Sequence, residues 1–168
     1  MIEPAEALGV AAQIAVTLAG FAGVVVVFSR RSFDEWSRVD RFRLLLLLTT
    51  SAHALVFCMV SMLLLATDLA APAVWAWSSG LALATILPTG ALGMRTFTSF
   101  PRGELEAAAA SKLLFYAVSS LALAGILLQV YNIFAARTFW PFFSLIVVAI
   151  LASTLQFVRM VLARPGEP

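Results

Sequence analysis

The chain has one cysteine, Cys58, and one histidine, His53, among its 168 residues. A single cysteine cannot form a disulfide within the chain and cannot supply a thiolate metal cluster. A single histidine cannot provide bis-histidine haem ligation or a multi-histidine metal site unless several subunits each contribute one. We therefore expect neither a cofactor nor a metal ion in one copy of the chain.

Sequence patterns that mark enzymes are also missing. The sequence contains no Gly-rich phosphate loop, no H-E-x-x-H zinc motif and no nucleophile elbow. Every Asp and Glu lies near the end of an apolar run or in a loop, so no pair of carboxylates is available for acid–base chemistry inside a membrane. The sequence therefore predicts a protein that is not an enzyme. A secondary transporter is disfavoured as well, because such folds are usually larger and built of repeats.

Charged residues are scarce, at 12% of the chain, and hydrophobic residues reach 62%. The mean hydropathy of +0.99 lies well above the range of soluble domains. The formal charge of +2 comes from basic residues beside apolar runs, so membrane topology explains it better than a nucleic-acid partner. The acidic start, with Glu3 and Glu6, differs from the basic start of a secretory signal, so we expect the first apolar segment to be retained.

Five apolar runs are long enough to cross a bilayer, whose hydrocarbon core of about 30 Å requires about 20 helical residues. They cover residues 7–28, 44–66, 74–94, 113–136 and 142–162. Only structures that satisfy their own backbone hydrogen bonds can cross lipid. The predicted fold is therefore all-α: one integral membrane domain over residues 1–168, a compact bundle of five transmembrane helices.

Arginine and lysine predict how this bundle is oriented. If Glu3 is outside the cell, Arg137 is the only basic residue that also falls outside. The positive-inside rule then predicts an outer N-terminus and a cytoplasmic C-terminus. The segment LAGFAG at 18–23 resembles the first helix of small bacterial membrane proteins, which implies the bacterial cytoplasmic membrane. The basic residues predicted inside are Arg30, Arg31, Arg38, Arg41, Arg43, Arg95, Arg102, Lys112, Arg159 and Arg164.

The first span carries two candidate faces. Small residues recur every four positions, a pattern typical of close helix crossing, either inside one subunit or between subunits. They are Ala7, Ala11, Ala15, Ala19 and Gly23. A second, narrow face includes Gln13, Thr17, Gly20, Val24, Val27 and Arg31.

This second face permits two interpretations. In one, the face lines a water-filled path, with Gln13 and Thr17 in the outer half and Arg31 at an inner mouth that favours anions. In the other, Gln13 and Thr17 bond neighbouring helices and Arg31 marks the membrane interface.

The second span places polar residues along one stripe: Thr50, His53, Ser61 and Asp68, with Phe57 between them. An ionisable group such as His53 is costly in lipid and should face protein or water. It is therefore a candidate proton relay, ligand contact or metal ligand shared between subunits. The alternative is a neutral histidine bonded to Thr49 or Thr50.

The third span carries Thr85 and Thr89 on the same face as Ser78, and Pro88 removes one helical hydrogen bond. A bend at this point predicts either a cavity or hinge, or ordinary helix packing.

At the outer ends of the spans, four polar residues predict a small vestibule with an ion pair between Asp68 and Arg137. The other two members are Gln129 and Asn132. At the inner ends, the arginines from Arg30 to Arg43 form a collar that we expect to bind anionic lipid headgroups.

Two functional hypotheses follow. In the first, several copies surround a central path and form an ion channel with a basic cytoplasmic mouth. In the second, the protein is a non-conducting accessory subunit or partner of another membrane protein, or a binder of a small ligand. A chain of this size encloses a pore only as a homo-oligomer, so the first hypothesis requires one.

Overall fold

The computed structural model describes residues 3–27, 35–107 and 112–162, and within these ranges the chain is helical and contains no strand. The helices are α1 (Pro4–Val27), α2 (Arg38–Leu65), α3 (Ala71–Thr98), the short α4 (Arg102–Ala107), α5 (Lys112–Tyr131) and α6 (Phe139–Leu162). A π-helical segment, Asn132–Ala136, continues α5. The all-helical fold predicted from the apolar runs is confirmed for the described part of the chain.

Within residues 3–27, 35–107 and 112–162, four helices are long and apolar enough to cross a membrane. The qualifying stretches are Pro4–Val24, Arg38–Leu65, Leu113–Ala136 and Phe139–Val161. They indicate a membrane protein. Helix α3 has 28 residues but is not among the four, since its serine, threonine, glycine and proline residues lower its hydropathy. The fifth span and the orientation of the bundle stay predictions.

Helix α2 begins at Arg38, six residues before the predicted span, because Ser37 caps it. The Ser37 backbone is extended, and its Oγ accepts a hydrogen bond from the Asp40 backbone N at 3.0 Å. Such a cap satisfies an N–H that has no partner within the helix. The early start places Arg38, Arg41 and Arg43 on the first turns of this helix.

Helix α2 packs against α1, α3 and α6 and thereby joins the bundle. The main core lies between these helices and is built on aromatic rings, with Phe57, Trp75 and Phe142 in contact. A second cluster joins the start of α2, the end of α3 and α4; it consists of Val39, Phe42, Phe97, Phe100 and Leu105. These two clusters hold the two ends of α3.

We call the end of the bundle at this second cluster the basic end. It collects the described arginines at the start of α2, the end of α3, α4 and the end of α6. An ion pair at 3.6 Å between Arg38 Nη1 and Glu104 Oε1 joins α2 to α4. Arg137 lies at the junction of α5 and α6, away from this end. The arginines of the basic end are Arg38, Arg41, Arg43, Arg95, Arg102 and Arg159.

Candidate functional site

At the end opposite the basic end, α3 is tied to α5 and α6 by buried polar side chains, which we call the Ser79 network (Ser79, Gln129 and Asn132). Ser79 Oγ donates to Gln129 Oε1 at 2.9 Å and accepts from Asn132 Nδ2 at 2.8 Å. Gln129 Nε2 donates to the Pro141 carbonyl at 2.8 Å. Burying a polar group lowers the stability of a fold unless the group forms a hydrogen bond, as these three side chains do. At the preceding residue of α3, Ser78 Oγ accepts a hydrogen bond from Ser61 Oγ at 2.8 Å, which joins α2 to α3.

The predicted vestibule does not form. Gln129 and Asn132 are fully buried, whereas Asp68 and Arg137 are exposed. Both members of the predicted ion pair are described, and no ion pair joins them. Arg137 has a positive φ of 48° and ends the π-helical segment, and its Nε donates to the Ile133 carbonyl at 3.1 Å. The guanidinium therefore caps its own helix, and the two amides serve helix packing.

Helix α3 is held at its ends and stands away from the bundle between them. Its buried residues are Val74, Trp75, Ser78, Ser79 and Ala82, followed only by Phe97. The intervening stretch contains Pro88, Gly90 and Gly93, and none of its residues is buried. At the basic end the Phe97 ring stacks on Phe115 of α5, with ring centroids 3.5 Å apart. The consequence is a space between α3 and the other helices.

This space is a partly open cavity of about 220 Å³, walled by α2, α3, α5 and α6. Its volume is an order of magnitude above the roughly 10–15 Å³ that one water needs. Most of the lining is aliphatic or aromatic, from residues such as Leu46, Ile86, Met94, Val118 and Val148. The polar side chains that reach it are Arg43, Thr49, Thr50, His53, Thr89, Ser119, Gln156 and Arg159.

The cavity is polar at one end. Along α2 its lining runs from Val39 to His53, a rise of about 21 Å at 1.5 Å per residue, and Arg43 stands one turn inside that end. Along α6 it runs from Arg159 to Leu145, about 21 Å. Both guanidinium groups stand at the basic end, and His53 and Leu145 stand at the far end. The walls between them are mainly apolar.

Arg43 and Arg159 give this mouth a positive charge. Arg43 Nη1 pairs with Asp40 Oδ1 at 3.0 Å, and Arg159 lines the same mouth from α6. Between them and the apolar walls lies Gln156, whose Oε1 is buried and has no hydrogen-bond partner among the described residues. The mouth therefore offers two cations and an amide with unused hydrogen-bonding capacity.

His53 lines the cavity at its far end, and its ring stacks on Phe57 with centroids 5.5 Å apart. No hydrogen bond joins His53 to Thr49 or Thr50, all three of which are described. The hydroxyl of Thr50 instead lies 2.6 Å from Ser153 Oγ on α6. His53 is thus half-buried beside the cavity.

The polar stripe of α2 does not follow one path. Thr50 and His53 both line the cavity, and Thr50 also contacts Ser153 of α6, but Ser61 bonds α3 and Asp68 lies exposed beyond the end of the helix. Thr85 and Thr89 on α3 donate to the carbonyls one turn earlier in their own helix, and of these two only Thr89 reaches the cavity.

The candidate pore face of α1 points away from the bundle. Gln13, Thr17, Gly20 and Val24 are all exposed, and Thr17 Oγ1 donates to the Gln13 carbonyl at 2.7 Å. Arg31 lies outside the described residues. In a single copy these side chains therefore line no path between the helices.

The small-residue stripe of α1 contributes only partly to packing. Ala11 and Ala15 are buried, Ala19 is half-buried, and Gly23 is exposed, where an added Cβ would have no atom within 4 Å. Positions four apart drift by about 40° per step around a helix of 3.6 residues per turn, so such a stripe leaves the contact seam after a few turns. The buried seam is Leu8, Ala11, Ala12, Ala15, Leu18 and Ala22.

Sequence reasoning missed the polar face of α6 that reaches the cavity. Gln156 and Arg159 line the cavity and are spaced three apart, which places them on one side of a helix and is a signal the sequence does contain. Among the described residues, no three His, Cys, Asp or Glu side chains lie together as a metal site requires.

No protein-family model matches the chain, and no curated protein or solved structure matches it either.

Proposed function

We propose that the protein binds a small apolar or amphipathic molecule within the membrane, in the cavity between α2, α3, α5 and α6. The observation that carries this proposal is a cavity with mainly apolar walls, two arginines at one end and a few other polar groups along its length. Ligand sites usually combine such walls with a few convergent polar groups, and sites between the helices of a bundle are common.

The cavity can be filled from one glycine without disturbing its neighbours. Gly90 lines the cavity, and a Cβ added to it would have no atom within 4 Å. We expect Gly90→Leu to abolish ligand binding while the protein stays folded. The matched control is Gly80→Leu on the same helix, where a Cβ also has open space but the position does not line the cavity.

The test uses the full chain in phosphatidylcholine nanodiscs and a radiolabelled long-chain amphiphile, with binding measured by scintillation proximity. Saturable binding to the wild type and the Gly80 variant, but not to the Gly90 variant, supports the proposal. Equal binding to all three, or to empty nanodiscs, contradicts it.

Helix α3 is proposed as the fifth span, which gives an outer N-terminus, a cytoplasmic C-terminus and a place in a bacterial cytoplasmic membrane. Its 28 residues rise about 42 Å, more than the core thickness of about 30 Å. It packs against α2, α5 and α6, all candidate spans. With five spans, the described arginines of the basic end fall on one side, as the positive-inside rule favours. Their collar would then contact anionic headgroups.

One observation favours a second candidate, a homo-oligomeric channel. Gln13 and Thr17 are exposed on α1 within an apolar helix, and polar side chains in lipid favour contact with another helix or with water. Copies that meet through this face would enclose a path between them.

Light scattering of the detergent-solubilised chain and ion flux into liposomes test this second candidate. An oligomer that dissociates in Gln13→Leu and loses flux supports it. The control is Ile14→Leu, at the neighbouring exposed position. A monomer without flux contradicts it, because too few helices remain to enclose a conduit.

A further inference from the structure

We infer that the ligand is an anionic amphiphile with a single hydrocarbon chain. Its head group lies at Arg43 and Arg159, and its chain lies along the apolar walls toward His53. This inference rests on the proposed function, since it names the ligand of the same cavity. The features that carry it are the length of the cavity, its volume and the chemistry of its mouth.

The length of the cavity beyond its two arginines is comparable to one leaflet of a bilayer. The lining rises about 15 Å along α2 from Arg43 to His53 and about 21 Å along α6 from Arg159 to Leu145, and half of a hydrocarbon core of about 30 Å is about 15 Å. Its charged end coincides with the basic end of the bundle, where the arginines of α2, α3, α4 and α6 gather. An amphiphile in this position keeps the orientation and depth that it has in the surrounding leaflet.

The volume favours one chain. At about 220 Å³ the cavity is smaller than the roughly 300–1,000 Å³ of sites for drug-sized ligands. A ligand with two long chains needs more room than this, so a second chain would lie outside the walls. A single chain fills the apolar length and leaves its head at the mouth.

The mouth selects a negative charge. Arg43 and Arg159 both line it, and Arg43 also pairs with Asp40. Arginine binds carboxylate and phosphate oxygens through paired N–H donors, and such charge-assisted bonds are strong away from water. The Gln156 amide lies at the same rim, and its unbonded Oε1 can accept a hydrogen bond from a hydroxyl of the head group.

The test compares ligands of one chain length and different heads: hexadecanoate, hexadecyl phosphate and hexadecanol, with inorganic phosphate as the ligand without a chain. Each is titrated against the full chain in phosphatidylcholine nanodiscs. We expect both anionic amphiphiles to bind about tenfold or more tightly than the alcohol, as one charge-assisted interaction predicts. Inorganic phosphate should not saturate the site. The ratio between the first two ligands identifies the preferred head.

Variants of the mouth provide the second arm. Arg159→Gln should remove the preference for an anionic head and leave hexadecanol binding unchanged, and Arg159→Lys should retain most of the preference. Circular dichroism and the unfolding midpoint verify that both variants fold. If Arg43→Lys keeps the same preference for an anionic head group as the wild type, a positive charge alone is sufficient at position 43.

Failure of this inference is distinguishable from failure of the proposed function. If the alcohol binds as tightly as the acids, and Arg159→Gln changes nothing while Gly90→Leu still abolishes binding, the cavity binds a ligand but not an anionic one. If none of the amphiphiles binds the wild-type protein saturably, the proposed function and this inference are both contradicted.

Discussion

Ser79 Oγ donates a hydrogen bond of 2.9 Å to Oε1 of Gln129, which lies fifty residues later in the chain. The same oxygen accepts from Asn132, so one serine on α3 organises two amides of the opposing helix. Each bond lies in a buried, mainly apolar setting, where an unmet polar group is expensive. The Ser79 network is therefore the main polar tie of the bundle at this end.

We expect Ser79→Ala to lower the free energy of unfolding by about 1–2 kcal/mol, because it leaves Gln129 Oε1 and Asn132 Nδ2 each short of a partner. Unfolding in mixed detergent micelles measures the loss. The matched control is Ser120→Ala, since Ser120 is exposed and donates only to the Tyr116 carbonyl of its own helix. A loss no larger than in this control would show that the network contributes little.

The aromatic cluster at the basic end predicts a larger effect. Phe100 is buried against Phe42, whose ring it meets edge-on with centroids 5.5 Å apart, and Arg38 lies over its face. Phe100→Ala should cost about 3 kcal/mol, as truncation of a buried phenylalanine does. Phe134→Ala is the control, because that ring is exposed. Equal unfolding midpoints for the two variants would contradict the prediction.

The ion pair beside this cluster should contribute far less. Both side chains are partly exposed, and the pair at 3.6 Å joins Arg38 to Glu104. We expect Glu104→Gln to change the free energy of unfolding by less than about 1 kcal/mol. Unfolding at low and at high salt measures this change. A decrease in the free energy of unfolding as large as that of Phe100→Ala would contradict the prediction that the ion pair contributes less than the aromatic cluster.

Cysteine labelling tests whether α3 crosses the membrane. Cys58 is buried, so in a Cys58→Ala background a new cysteine is the only reactive one. Asp68 and Ser99 are exposed and flank α3. We expect Asp68→Cys to react with a membrane-impermeant maleimide from outside intact cells, and Ser99→Cys only after the membrane is opened. Reaction of both from the same side would mean that α3 does not cross.

The far end of the cavity predicts a dependence on chain length. His53 is the last residue of α2 that lines it, so His53→Trp should shorten the space for a hydrocarbon tail. We expect this variant to lose hexadecanoate binding and to retain decanoate binding. The binding assay in nanodiscs measures both ligands. If His53→Trp weakens the binding of hexadecanoate and decanoate equally, the hydrocarbon tail does not lie beside His53.

The helices could be predicted from the sequence because each is a long apolar run with charged or turn-forming residues at its ends. Each predicted span lies within a described helix to within a few residues, apart from Phe28, which lies outside the described residues, and Ala66, which caps α2. The helix ends differ from the predicted span ends where a local hydrogen bond determines them. At Ser37, for example, the side chain caps α2 six residues before the predicted span begins. Such caps depend on backbone geometry that hydropathy does not contain.

The partners of the polar residues could not be predicted. Gln129 and Asn132 were expected at an open vestibule, yet they turn inward to Ser79, because helix rotation decides which side of a span faces its neighbours. The π-helical segment after Tyr131 adds to this rotation by changing the register of its last residues. The cavity likewise depends on the distance between α3 and the other helices, and the spacing of apolar residues in the sequence does not give that distance.

The positions at which α3 contacts the other helices determine which amino-acid substitutions this protein tolerates. Cohesion between α3 and its neighbours is concentrated at its two ends, at Ser78 and Ser79 and at the ring of Phe97, whereas no residue between Leu83 and Thr96 is buried. We therefore expect substitutions at cavity positions such as Gly90 to change the shape of the cavity without loosening the two ends of α3. Under the proposed function, ligand preference and folding are then physically separable, so one can diversify while the other is retained.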